Sequence, residues 1–226
     1  MTTMTISQRI ESERTASATV ERRIDELLAH MTLEEKTGQM LHVWLLNDIP
    51  NPGDPSSFPP DFPSINMQRL TSIMDRGYGI GFMLNDVSLS PRRWFEFMIV
   101  LHREYMSRSR LKIPFIHAVC HQHGAGFVHD STIFPHNLTL AATFDPAHAR
   151  AMAEVTVLES ADLGHNFVYI PVMDIGRNPR WSRFYETFGE SYELCARMGE
   201  AIVKGVQEAP EIAPLRVSAC AKHFVG

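Results

Sequence analysis

A chain of 226 residues, 44% hydrophobic and 21% charged, has the composition of an ordinary globular protein and enough apolar residues for one substantial core. Its formal net charge of -5, with 21 scattered basic residues, argues against a nucleic-acid surface, and no stretch reaches the ~18 apolar residues of a membrane span. Cys120, Cys195 and Cys220 lack framework spacing and the opening MTTMTISQRIESERTAS lacks an apolar signal core, so a reducing, cytoplasmic setting is expected.

In chain order, residues 1–19 read as a polar extension and 20–226 as one domain. Val20, Ile24, Leu27, Leu28 and Met31 have helical spacing, and Thr32 with Glu35 three residues later predicts a capping box that opens a second short helix through Met40. LHVWLL (41–46) reads as a buried strand, and the six prolines from Pro50 to Pro63 predict a long surface loop. A helix over 65–76 stopped by Gly77 precedes the apolar strand GIGFML (79–84). Ser90 and Pro91 then start a helix towards Arg110 that carries Trp94, Phe97, Met98 and Leu101 on one stripe.

IPFIHAV (113–119) is the third strand; Asp145 and Pro146 open a helix closed by Gly164, and NFVYIPV (166–172) is the fourth strand. A helix from Ser191 to about Lys204, stopped by Gly205, leads to VSACAKHF (217–224), the fifth. Continuously apolar strands separated by helices predict an α/β fold with parallel strands covered on both sides. A (β/α) barrel and a doubly wound sheet both satisfy the spacing, but NDIPNPGDP after the first strand is no dinucleotide or phosphate loop.

Such folds place their chemistry at the carboxyl ends of the strands. The residues there are Asp48, Asn85 and Asp86, the run His117 to His123, Asp174 to Arg183, and the pair Lys222 and His223. DIGRNPRWSRFYETFGE (174–190) sets Arg177, Arg180 and Arg183 among Asp174, Glu186 and Glu190 around a Trp. A guanidinium forks onto vicinal oxygens and an aromatic face stacks on a ring, which suits a hydroxyl-rich ligand; an Arg–carboxylate network that only pins the loop is the competing reading.

TIFPHNLTLAATFDP (132–146), RNPRWSRFYETFGE (177–190) and AKHFVG (221–226), with GIGFMLN and IPFIHAVCHQHG before them, resemble successive motifs of the N-terminal domain of family 3 glycoside hydrolases, the β-glucosidase and exo-glucanase type. The likeness runs from about Val20 to Gly226. It implies a partial TIM-type (β/α) barrel of about five parallel strands with covering helices. It also implies that Arg183, Lys222 and His223 hold the hydroxyls of the sugar in subsite −1, with Cys120 and His123 among the substrate-binding residues.

One departure bears on binding. The family usually has an Asp that grips outer sugar hydroxyls where this chain has Cys120, while His123 and Gly124 fall back into register with the family's His-Gly. A thiol is a poor acceptor, so the exchange is expected to cost on the order of 1–3 kcal/mol of sugar binding or to change the sugar preferred. Ser182, at a position commonly Gly, is a smaller departure.

Retaining hydrolysis needs two carboxyl groups. The family's nucleophile lies in a Ser-Asp-Trp-like motif absent from these 226 residues, and its acid/base usually comes from the following domain. Asp174, Glu186 and Glu190 are expected to serve as partners of the arginines. The resemblance therefore implies a small sugar or β-glucoside as ligand, no cofactor or metal, and no catalytic residue within the chain. An unclosed barrel exposes two strand edges, so a complementing chain, a homo-oligomer or a longer protein is expected. A non-catalytic carbohydrate-binding or regulatory half-barrel is an alternative. A third reading is a metal protein, because His117, Cys120, His121, His123 and His129 lie close together in sequence.

Overall fold

The computed structural model describes residues 6–44, 71–72, 80–82, 88–209 and 217–223. The proline-rich loop and Asp48, Asn85 and Asp86 lie outside these residues. In chain order the elements are α1 (Ile6–His30), α2 (Leu33–Gln39), β1 (His42–Trp44), β2 (Ile80–Phe82), α3 (Pro91–Arg108), β3 (Ile116–Val119), α4 (Asn137–Ala141), α5 (Pro146–Ala161), β4 (Phe167–Val168), a 3-10 turn (Phe184–Glu186), α6 (Tyr192–Gln207) and β5 (Ser218–Ala219). The five strands form one parallel sheet in the order β1-β2-β3-β4-β5, with no reversal. The fold is α/β.

Local chemistry fixes the helix starts. Thr32 N–H donates to Glu35 Oε2 at 2.9 Å and Glu35 N–H to Thr32 Oγ1 at 3.2 Å, the reciprocal pair expected of a capping box. Ser90 Oγ accepts from Arg93 N–H at 3.4 Å, and Asp145 Oδ1 from Ala147 N–H at 2.9 Å, each ahead of a proline in the first turn. Gly164 takes φ +84° after α5, where a left-handed residue ends the turn.

Three expectations are corrected. The first helix begins at Ile6, well before Val20, because residues 6–30 contain neither Gly nor Pro to interrupt it. Gly205 does not stop the last helix: it is buried inside α6, where an added Cβ would lie 2.7 Å from Arg150 O and 2.8 Å from Ala153 Cβ, so its role is to let α6 approach α5. The strands are shorter than predicted. Pro171 has no N–H to donate, so β4 ends at Val168 and only an isolated parallel bridge, Val172 with Lys222, continues the pairing.

The core lies between the sheet and α5 and α6, where Met152, Ala153, Val157, Val168, Ile170, Met198 and Ile202 are buried together. Beside it, α3 contributes Trp94, Phe97, Met98 and Leu101, and Trp94 Nε1 donates to Phe127 O at 2.6 Å. Fully buried under α3 and α5 are three imidazoles. His117 stacks on His165 at 4.8 Å with Nδ1 to Nδ1 at 2.8 Å, and His121 meets His165 edge-on and bonds Ser160 Oγ at 2.8 Å.

Burial, and then the neighbouring His117, pushes His121 from 6.5 down to about 3, and burial with His121 holds His165 well below its ordinary value. Both fold as neutral rings. The stability of that state is complete above the unfolded value of 6.5 and is lost as pH falls, because the unfolded chain then takes up protons that the folded chain excludes. Chemical denaturation between pH 6.5 and pH 4 should show the unfolding free energy falling by up to about 1.4 kcal/mol per pH unit for each imidazole. A profile flat over that interval would contradict neutral burial.

Candidate functional site

Parallel strands present their carboxyl ends on one edge, and four segments meet there: the residues after β3, those after β4, the loop with the 3-10 turn, and those after β5. Past the strand ends, Cys220 N–H is directed at Val168 O and Ile170 O at 3.0 Å each, and Lys222 N–H donates to Pro171 O at 2.9 Å. This register brings His223 beside Asp174.

From there the polar groups form a series. Asp174 Oδ2 accepts from the His223 backbone N–H at 3.3 Å and from His223 Nδ1 at 2.7 Å. His223 Nε2 accepts from Arg183 Nη2 at 3.3 Å. Arg183 donates through Nε to Glu186 Oε1 at 2.7 Å and through Nη2 to Oε2 at 2.6 Å. A neutral imidazole with its proton on Nδ1 satisfies every bond in this network.

Burial works against both carboxylates. At Asp174 it is outweighed by the hydrogen bonds from His223 and by the charge of Arg183; at Glu186 by the hydrogen bonds and charge of Arg183, the charge of Lys222 and a bond from Gln122. Both are therefore held below their ordinary range. The loop is tied from outside as well, since buried Asn137 at the start of α4 donates Nδ2 to Glu186 O at 2.8 Å.

Lys222 reaches Cys120 Sγ at 3.6 Å and lies over the Tyr169 ring, 5.8 Å from its centroid. Burial, with Cys120 and Cys220 adding to it, raises the Tyr169 pKa, so the ring stays a phenol. His123 donates Nδ1 to Phe134 O at 2.8 Å and packs on His136 at 4.0 Å, which in turn meets Tyr185 at 4.6 Å. The next residue, Gly124, has φ +112°, and a Cβ there would collide with the Thr132 carbonyl, so only glycine permits this approach of 123–124 to 132–134.

Arg183, Lys222, His223 and Cys120 are thus brought together; His123 stands next to them with one nitrogen and one ring face already engaged. Arg177, Arg180 and Glu190 are exposed. Asp174, expected as an arginine's partner, instead holds His223, because the register of the segments after β4 and β5 decides its neighbour. Tyr169 and Gln122 were not singled out from sequence; their place just past a strand end was the available signal. The residues of the metal reading do not converge: His117 and His121 join the buried cluster while Cys120 faces Lys222, and no metal-holding group of three occurs among the described residues.

Two substitutions test this construction. Glu186→Ala strips Arg183 of its bidentate partner and should lower stability by about 1–3 kcal/mol in thermal denaturation. Gly124→Ala should cost about 2 kcal/mol or more through backbone displacement. Wild-type melting behaviour in either variant would mean that the corresponding contact does not hold the site.

Residues 32–226 match the family described as Glycosyl hydrolase family 3 N terminal domain. A lysosomal beta glucosidase of Dictyostelium discoideum is 34% identical, the alignment covering 90% of this chain and 25% of that one. A periplasmic beta-glucosidase of Salmonella typhimurium is 31% identical over 89% of this chain and 23% of its own. Among solved structures, a beta-glucosidase from Listeria innocua in complex with isofagomine superposes with a TM-score of 0.65 at 30% identity, covering 90% of this chain and 25% of that one. An exo-1,3/1,4-beta-glucanase from a Pseudoalteromonas species gives 0.73 at 25% identity, covering 91% and 25%. The chain thus spans about a quarter of the length of these proteins. With that match over most of its residues, the chain belongs to the glycosyl hydrolase family 3 N-terminal domain family.

Proposed function

We propose that this chain supplies the sugar-holding part of a β-glucosidase-like glycoside hydrolase, binding one ring in subsite −1 without contributing the nucleophile or the acid/base. The observation that carries the reading is the convergence of Arg183, Lys222 and His223 at the carboxyl ends of β4 and β5. Lys222 and the outer guanidinium nitrogen of Arg183 offer donors to ring hydroxyls. The 3.3 Å contact from Arg183 to His223 Nε2 is longer than the two Arg183–Glu186 bonds, and it is the one a hydroxyl displaces. Asp174 and Glu186 are committed to His223 and Arg183 and held ionised, which suits supports better than a proton-donating acid.

The sequential parallel order of the five strands supports a partial (β/α) barrel as the framework. Pairing along the β1 or β5 edge, with another copy or a complementing chain, belongs to the same proposal. No helix among the described residues is long and apolar enough to cross a membrane. The free thiols Cys120, Cys195 and Cys220 favour a reducing, cytoplasmic compartment over the lysosomal and periplasmic settings named for the two relatives.

Calorimetric titration with glucose tests the reading. Saturable binding is expected, weakened at least about tenfold in Arg183→Ala with the fold retained by circular dichroism. No heat from a folded sample, or equal affinity in that variant, would overturn it. The carbohydrate-binding alternative predicts the same binding; it separates from the hydrolase reading when the chain is combined with the remainder of a family member, where restored turnover of an aryl β-glucoside favours the hydrolase.

A further inference from the structure

The charges of the site are unevenly placed. Arg183 and Lys222 balance Asp174 and Glu186 in number, yet both carboxylates are bonded to other partners: Glu186 grips Arg183 with both oxygens, and Asp174 holds His223. The Lys222 ammonium instead meets the Cys120 sulfur at 3.6 Å and the Tyr169 ring face, and among the described residues no carboxylate forms an ion pair with it. Glu186 feels its charge, but the Glu186 oxygens are already occupied by Arg183. A half-buried ammonium with a weak sulfur acceptor retains donors for a ligand.

We propose that the ligand brings an anion to Lys222, which has no carboxylate partner among the described residues: the site takes a sugar ring carrying a carboxylate, a hexuronic acid or its β-glycoside, with the carboxylate on Lys222 Nζ. This rests on the sugar-binding reading above and names the class of ring. A charge-assisted bond is shorter and about twice as strong as the neutral bond that a hexose hydroxyl makes to the same ammonium. One carboxylate matches the one Lys222 ammonium, whereas a phosphate ester brings nearly two negative charges towards a site that already holds two carboxylates. Cys120 sets this preference because it offers Lys222 a sulfur and no carboxylate; an acidic side chain in its place would pair with Lys222 internally.

The test is calorimetric titration of the full chain with methyl β-glucuronide, methyl β-glucoside and glucose 6-phosphate, for wild type, Cys120→Asp and Cys120→Ser. Wild type and Cys120→Ser should bind the glucuronide at least about tenfold tighter than the glucoside, with the gap narrowing in high salt. Cys120→Asp should lose the preference for the glucuronide over the glucoside, with its fold checked by thermal denaturation. Equal binding of glucuronide and glucoside in wild type would overturn the inference and leave the sugar-binding reading intact, whereas a folded chain that binds none of the three overturns both. Glucose 6-phosphate binding as tightly as the glucuronide would overturn the carboxylate assignment. A preference that survives Cys120→Asp would remove Lys222 as its anchor.

Discussion

The network from Asp174 through His223 and Arg183 to Glu186 ties the side chains of three segments together, beyond the backbone bonds that set those segments side by side. Asp174 ends the segment after β4, His223 follows β5, and Arg183 precedes the short turn of the long loop that Glu186 closes. Each link puts a donor against an acceptor, and both carboxylates are charged because the cationic and imidazole partners outweigh the cost of burial. Side chains that converge on a small polar ring need such support, since a displacement of a fraction of an ångström removes the geometry that hydrogen bonding requires. The sheet supplies the coarse placement and this network the fine one.

Behind the sheet the order of priorities is different. Met152, Val157, Met198 and Ile202 fill the space between β4, α5 and α6, and glycine at 205 sets how closely those helices approach. The imidazoles of His117, His121 and His165 lie in the layer under α3 and α5, removed from solvent, and the neutral state of His121 and His165 is a condition of that packing. Histidines of one short segment therefore divide by the face of the chain they occupy: His117 and His121 belong to the core, while Cys120 between them points to Lys222. That division sets the residues of the metal reading on different faces of the chain.

What sequence showed and what it hid follow from the range of each interaction. Caps at Thr32, Ser90 and Asp145 involve residues two or three apart, so they were legible, and the buried stripe of α3 followed from helical periodicity. Gly205 reads as a helix stop until α5 is seen beside it. The partner of Asp174 lies 49 residues away and depends on the register between the segments after β4 and β5, and the His117–His165 contact spans 48. Neither leaves a local trace. Long motifs drew attention to Arg183, Lys222 and His223, and the structure brings these three together, but the surroundings of Lys222 emerged only when Cys120 and Tyr169 were placed against it.

The central claim is that a sugar ring is held where these side chains converge, and a crystal structure of the chain with a bound monosaccharide tests it most directly. The account predicts ring oxygens within about 3 Å of Lys222 Nζ and the Arg183 guanidinium. The Asp174–His223 and Arg183–Glu186 bonds should be unchanged from the unliganded state. A sugar seated elsewhere on the chain, or one that binds only after those two bonds have broken, would contradict it.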